Sequence, residues 1–399
     1  MKLSQSAKHA ILIGTLCSVS YFAIYNARNI LSAVTPQMTA QGYGESYIGA
    51  ISSLYFVFYA VGQLVNGMIG DHIKAKWMIA VGLLGAGVSN LVFSHVATNQ
   101  IAAMSAYAMT GLFLSMIYGP MTKVVSENTE PIHATRCSLG YTCASFLGSP
   151  SAGLLASLLA WQSVFAVSSG LLVSMAVIAF VFFSIFERRG IVRYGQYKAE
   201  KKGIDGVKIL LRHRIVKFSF VALITGIVRT SVVFWMPQYF KDYLGYSETN
   251  ASLIFTAATF VITFTTFIAI FVYERLGYNM DKTMLLMFSL STVFFVLLFA
   301  VKHPIINIGL FVLAVMSSNA AATMLYSRYC PGLRDTGMVS SATGFLDFLS
   351  YMSAAAANVV FPLLKESLGW QKLILVWIAI IAAGVIVVLP YHRFRRVKE

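Results

Sequence analysis

Three ionisable side chains stand well inside long apolar stretches of this chain: Arg28, Arg229 and Asp347. Such a group is costly at membrane depth, and segments facing only lipid shed it, so each marks a candidate functional site. Arg28 sits in the stretch YFAIYNARNILSAVTPQM (21–38) and Arg229 in IVRTSVVFWMPQY (227–239); a Pro-Gln pair follows each arginine eight residues on. Two cations and one acid would make a central cavity net positive and suited to an anion. A guanidinium holds paired oxygens in a planar fork, and phosphate fits that geometry. Both arginines would attract it strongly in a medium of low dielectric constant, so a second anion would be needed to lift it off, which argues for exchange. Plainer readings exist. Arg28 is too central to snorkel comfortably but could pair with backbone carbonyls, and Arg229 could be neutralised permanently by Asp347. Asp347 has three open readings: structural partner of Arg229, ligand for a substrate amine or hydroxyl, or proton carrier with its pKa raised by burial.

The elements that position these residues are apolar helices. With 58% hydrophobic and 11% charged residues and a mean hydropathy of +0.73, the 399-residue chain is too apolar for a soluble domain. Stretches of about 20 apolar residues, each able to cross a hydrocarbon layer of about 30 Å, occur at 9–36, 47–70, 77–95, 100–125, 135–158, 162–186, 215–240, 250–273, 283–301, 304–327, 338–364 and 371–390. This predicts an all-α polytopic membrane protein of twelve transmembrane helices. The formal charge of +15 does not point to nucleic acid, because 24 Lys and Arg residues fall on the side of the termini and four (Lys241, Lys302, Lys365, Lys372) on the other. That bias predicts cytoplasmic termini and a cytoplasmic (inner) membrane, with the lipid bilayer as the surrounding partner. The first apolar segment lacks a small-residue cleavage site and reads as a retained helix.

Three landmarks recur in one order. Arg28 answers to Arg229, Gly42-Tyr-Gly-Glu-Ser46 to Gly245-Tyr-Ser-Glu-Thr249, and Ala160-Trp-Gln to Gly369-Trp-Gln, at offsets of 201, 203 and 209 residues. This predicts a duplicated six-helix unit, with residues 1–186 as one bundle, 187–214 as a basic cytoplasmic linker and 215–399 as the second bundle with a basic tail. In such repeats the substrate lies near the midplane between halves. The four cysteines show no metal-ligand spacing. No phosphate-binding P-loop, metal cluster or nucleophile constellation is present. No cofactor, no metal and no enzymatic activity are therefore expected, and the driving force must come from gradients.

Two sets of motifs resemble known families. Gly67-Met-Ile-Gly-Asp-His-Ile-Lys-Ala-Lys76, between the second and third spans, is similar to the Gly-x-x-x-Asp-Arg-x-Gly-Arg-Arg loop of the major facilitator superfamily. The resemblance implies a charge lock on the cytoplasmic side formed by Asp71, Lys74 and a basic partner such as Lys123 or Arg136; a solvated turn is the simpler alternative. Tyr25, Arg28 and Pro36, with Arg229, Trp235, Pro237 and Tyr239, resemble the helix 1 and helix 7 motifs of the organophosphate:phosphate antiporter family, which includes glycerol-phosphate and hexose-phosphate exchangers. That resemblance implies a major facilitator fold of two pseudo-symmetric six-helix bundles, with Arg28 and Arg229 gripping the phosphate. Tyr21, Tyr25, Tyr59 and Trp235 would join them as substrate-binding residues, with Asp347 tuning the site. Gln63, Ser145 and Phe234 stand where family members carry a lysine, a histidine and an acid, and Asp347 where they carry a small residue; loss of the lysine and histidine with gain of Asp347 makes the pocket less positive than theirs.

The expectation is thus a secondary active transporter, monomeric, moving a small organic phosphate or related anion by alternating access in exchange for inorganic phosphate. Two alternatives stay open: a proton-coupled transporter of an organic cation, zwitterion or drug using Asp347, and a non-transporting organophosphate sensor.

Overall fold

The computed structural model describes residues 4–69, 73–194, 208, 210–333 and 339–389, and all regular structure among them is helical. Six helices make up the first half: α1 (Gln5–Ala40), α2 (Glu45–Ile69), α3 (Ala75–Val96), α4 (Gln100–Ser115 continued by Tyr118–Asn128), α5 (Pro131–Leu158) and α6 (Trp161–Arg188). The second half has α7 (Ile215–Gly226, Ile227–Val232 and Met236–Asp242), α8 (Glu248–Ile262 and Thr265–Arg275), α9 (Met280–Ala300) and α10 (Pro304–Met324 running into Leu325–Tyr329). The last continuous run, Val339–Val388, is broken where Gly369 takes φ 75° and ψ 168°. Only glycine adopts that conformation without strain, so the run is two passes, α11 (339–368) and α12 (370–388).

Ten helical runs are long and apolar enough to cross a membrane; the Gly369 break divides one of them, and Pro131–Leu158 supplies the remaining pass. The twelve passes therefore match those read from hydropathy. Several helices overrun the apolar stretches, α1 by four residues at each end, because a helix persists into the interfacial layer after hydrophobicity has fallen. Large apolar side chains such as Val177, Phe267 and Phe271 stand exposed on the outside of the bundle, as the lipid-facing surface of a membrane protein requires.

The duplication is visible in the packing. α1 packs on α5, α2 on α4 and α3 on α6, and in the second half α7 packs on α11, α8 on α10 and α9 on α12. Across the two halves α2 meets α11 and α5 meets α8, so each half lends the other the equivalent surface. Small residues set the close approaches. A Cβ on Gly148 of α5 would strike Tyr25 of α1, and one on Gly226 of α7 would strike the Ser350 backbone of α11, as is usual where membrane helices pack without a hydrophobic drive.

The end of the bundle remote from the termini is sealed by polar bonds between the halves. Lys365 of α11 lies 2.7 Å from Asp242 of α7 and also pairs with Glu45 at the start of α2. Gln238 Nε2 donates to Glu45 at 3.0 Å, and Lys241 Nζ donates to the Pro36 carbonyl at 2.8 Å. Ser32 Oγ donates to the Phe234 carbonyl at 2.6 Å, and Asn358 Nδ2 to Ser52 Oγ at 2.9 Å. Of the hydrogen bonds and ion pairs joining two described residues of opposite halves, all lie at this end or at the level of the central cavity.

Candidate functional site

Between the halves lies a cavity of about 510 Å³ whose wall includes Arg28, Arg229 and Asp347. Arg28 reaches it from the middle of α1. Its Nη1 donates to the Tyr351 hydroxyl at 3.0 Å, and its guanidinium carbon lies 4.8 to 5.6 Å from the ring centres of Tyr25, Phe56, Tyr59 and Tyr351. Aromatic faces stabilise a cation without neutralising it, so the positive charge remains available to a ligand.

Arg229 comes from the second half and is less well satisfied. It projects from Ile227–Val232, a π-helical turn in α7; such insertions re-aim a side chain and are frequent at functional positions. Its guanidinium carbon lies 5.4 Å from the Tyr326 ring and 5.9 Å from that of Tyr351. Tyr326 itself sits in the second π-helical turn, Leu325–Tyr329 of α10. Arg229 makes no hydrogen bond to any described residue, and its Nη2 is buried without a partner. A buried, unanswered N–H on a charged group is costly, and an anion in the cavity would answer it. The guanidinium carbons of both arginines lie within 6 Å of the Tyr351 ring centre, at 4.8 and 5.9 Å, so the two side chains approach one tyrosine from the two halves.

Asp347 lies one helical turn before Tyr351 on α11. It is within electrostatic reach of Arg229, Arg28, Tyr326 and Tyr118, yet it forms no ion pair within 4 Å with either arginine. The reading of Asp347 as a closed structural partner of Arg229 is therefore not realised as a salt bridge in this conformation.

Tyr21, Tyr25 and Tyr59 line the cavity as expected from α1 and α2. Trp235 does not. It is 2% exposed, packed edge-on to Phe234 with ring centres 5.1 Å apart, and absent from the cavity wall. Successive helical residues point about 100° apart, so when Phe234 faces the cavity its neighbour turns into the bundle. Gln63, Ser145 and Phe234 all line the cavity. The positions at which the chain departs from the antiporter motifs are thus positions a ligand would meet.

Of the proposed lock on the terminal face, Asp71 lies outside the described residues. Lys74 pairs at 2.7 Å with Glu187 near the end of α6, which Lys76 also meets at 2.5 Å. Lys123 falls in the second piece of α4, and Arg136 is exposed near the start of α5. The carboxylate that engages Lys74 is therefore Glu187, a residue that loop-motif reasoning passed over because it lies 113 positions away.

Sequence reasoning also missed Tyr351, Tyr326 and Asn319. All three line the cavity. The first was within reach of the sequence, since the residue four after a buried Asp347 shares its helix face. Among the described residues no group of three or more His, Cys, Asp or Glu side chains is placed to hold a metal ion.

The family model of the Major Facilitator Superfamily matches residues 17–357, from within α1 to within α11. The chain belongs to this superfamily. The fold is shared with a solved structure: a bacterial homologue of the human lysosomal transporter Spinster, in an inward-facing and unoccupied conformation, superposes with a TM-score of 0.77 over 97% of both chains at 12% identity. Among curated relatives, a putative glycerol-3-phosphate transporter 2 of Arabidopsis thaliana is 22% identical over 90% of this chain and 84% of its own length. A glycerol-3-phosphate transporter of Bacillus subtilis is 21% identical over 58% of each chain. The membrane sensor protein UhpC of Salmonella typhimurium is 28% identical over 24% of this chain, a match spanning only 22% of the sensor. The chain is thus a multi-span membrane protein of a transporter superfamily, similar to members named as glycerol-3-phosphate transporters.

Proposed function

We propose that this member of the superfamily is a secondary active transporter that exchanges a small organic phosphate or related anion for inorganic phosphate. The observation that carries the reading is the convergence of Arg28 and Arg229, one from each half, on a single cavity where Arg229 Nη2 has no protein partner. Two guanidinium groups can take the oxygens of one phosphate in charge-assisted bonds, and binding would draw α1 and α7 together. In the empty form the like charges oppose that approach, so reorientation requires cargo, which is the physical basis of obligate exchange. The similarity to relatives named as glycerol-3-phosphate transporters supports the same class. The termini are assigned to the cytoplasmic side by their excess of Lys and Arg, which makes the sealed end external.

The test is reconstitution into liposomes loaded with inorganic phosphate, followed by uptake of labelled phosphate esters. Uptake that requires internal phosphate supports exchange. Uptake that instead follows an imposed pH gradient in phosphate-free vesicles and is lost in Asp347→Asn would establish the proton-coupled reading. Saturable ester binding without any flux would establish the sensor reading suggested by the similarity to UhpC.

A further inference from the structure

The cavity offers more than a phosphate clamp, because its second-half wall presents unanswered acceptors beside the unanswered donor. Arg229 Nη2, Asn319 Oδ1 and the Tyr326 hydroxyl are all buried without hydrogen-bond partners, and all three residues line the cavity. Tyr326 lies close to Asp347, and among the described residues no cation comes within 4 Å of the carboxylate. A ligand bearing only anionic oxygens would satisfy Arg229 while leaving Asp347 facing a like charge and Asn319 Oδ1 still orphaned. Buried acceptors left unpaired and like charges at close range are both unfavourable.

The charges give the same answer. Arg28, Arg229 and Asp347 together leave one excess positive charge in the cavity. A phosphomonoester dianion overcompensates it, whereas a dianion that also carries an ammonium balances it. The surroundings of Asp347 suit such an ammonium: Tyr351 stands one turn away on α11, Tyr326 comes from α10, and Tyr118 from α4 is within electrostatic reach. A carboxylate among aromatic faces is a favourable seat for a desolvated cation.

Resting on the organophosphate reading above, we infer that the preferred substrate is a small zwitterion, a phosphate or phosphonate monoester carrying a primary ammonium. Its anionic head sits on Arg229 and Arg28, and its ammonium donates to Asp347 and Asn319 Oδ1 between Tyr326 and Tyr351. The aromatic wall of the first half then encloses the carbon linker. This assignment accounts for Asp347 by chemistry in place of accident, and for the absence of a salt bridge between Asp347 and the nearby arginine.

Two probes test it in phosphate-loaded liposomes: 2-aminoethyl phosphate, and propyl phosphate, in which a methyl group replaces the ammonium. The wild-type protein is expected to take up the amine with at least about a tenfold preference, the size of one charge-assisted hydrogen bond. Asp347→Asn should collapse that ratio toward unity, and Asp347→Glu should retain most of it. Because the readout is a ratio within one preparation, reduced insertion of a variant does not move it. Equal uptake of the two probes by the wild type, or a preference that survives Asp347→Asn, overturns the ammonium site and leaves organophosphate exchange standing. Failure of any phosphate ester to exchange overturns both.

Discussion

At the scale of single residues, the arrangement divides labour between two arginines that the duplicated sequence makes look equivalent. Arg28 is held by a hydroxyl and four aromatic rings, whereas Arg229 waits with its Nη2 unpaired. Substituting lysine keeps the charge but removes the planar fork. Arg28→Lys and Arg229→Lys should each lower phosphate-ester uptake by about tenfold or more while protein yield in the membrane is maintained; full uptake by both variants would remove the proposed site. Tyr351→Phe keeps the shared ring and deletes the hydroxyl that accepts from Arg28. Its expected effect is a change in apparent affinity of roughly threefold to tenfold, the worth of one hydrogen bond, read from concentration-dependent uptake. Arg28, Arg229 and Asp347 were legible in the sequence because an ionisable residue has few reasons to lie in an apolar span. Tyr326 and Tyr351 were not, since a tyrosine in such a span is unremarkable until a neighbour's charge gives its ring and hydroxyl a task. Trp235 was misplaced for a local reason: a motif records which residues are present, not which of two adjacent side chains faces the cavity once a π-helical turn has shifted the register of the helix.

At the scale of elements, the irregular turns of α7 and α10 bring Arg229 and Tyr326 together, and hydropathy cannot reveal them because a π-helical insertion leaves the apolar pattern intact. The twelve passes were legible for the opposite reason, as a hydrocarbon layer demands length and apolarity that few soluble sequences supply. The break at Gly369 was foreshadowed by its echo of Ala160, each just before a tryptophan that opens the last helix of its half. Helix placement around the site depends on close contact at glycine. Gly226→Ala puts a methyl group into the Ser350 backbone and must part α7 from α11, at a cost of about 1–3 kcal/mol. The expected result is a lower melting temperature in detergent together with weakened substrate protection of the variant; an unchanged melting curve would show that the two helices are not held at that point.

At the scale of the whole molecule, the halves are joined at the end away from the termini by Glu45, Asp242, Gln238 and Lys365. This partly buried cluster must come apart once per cycle if the cavity is to open on that side. Lys365→Met leaves two carboxylates near one another without their cation, which shifts the balance toward opening by about 1–3 kcal/mol. A cysteine introduced at Thr266 on the cavity wall, in a chain whose exposed Cys143 is replaced, should then react faster with an impermeant thiol reagent applied from the sealed side. Unaltered reactivity would show that the cluster does not hold that end shut.

The bond from Arg28 to the Tyr351 hydroxyl has one more consequence. It gives the vacant carrier a stand-in for its guest, so an arriving molecule must displace an existing contact before it gains a new one. Binding is weakened by that competition, but departure is hastened, because the stand-in recloses as the guest leaves. A protein arranged this way favours short residence and rapid turnover over tight retention, and deleting the hydroxyl while keeping the ring should lengthen the dwell time of the cargo in step with its tighter binding.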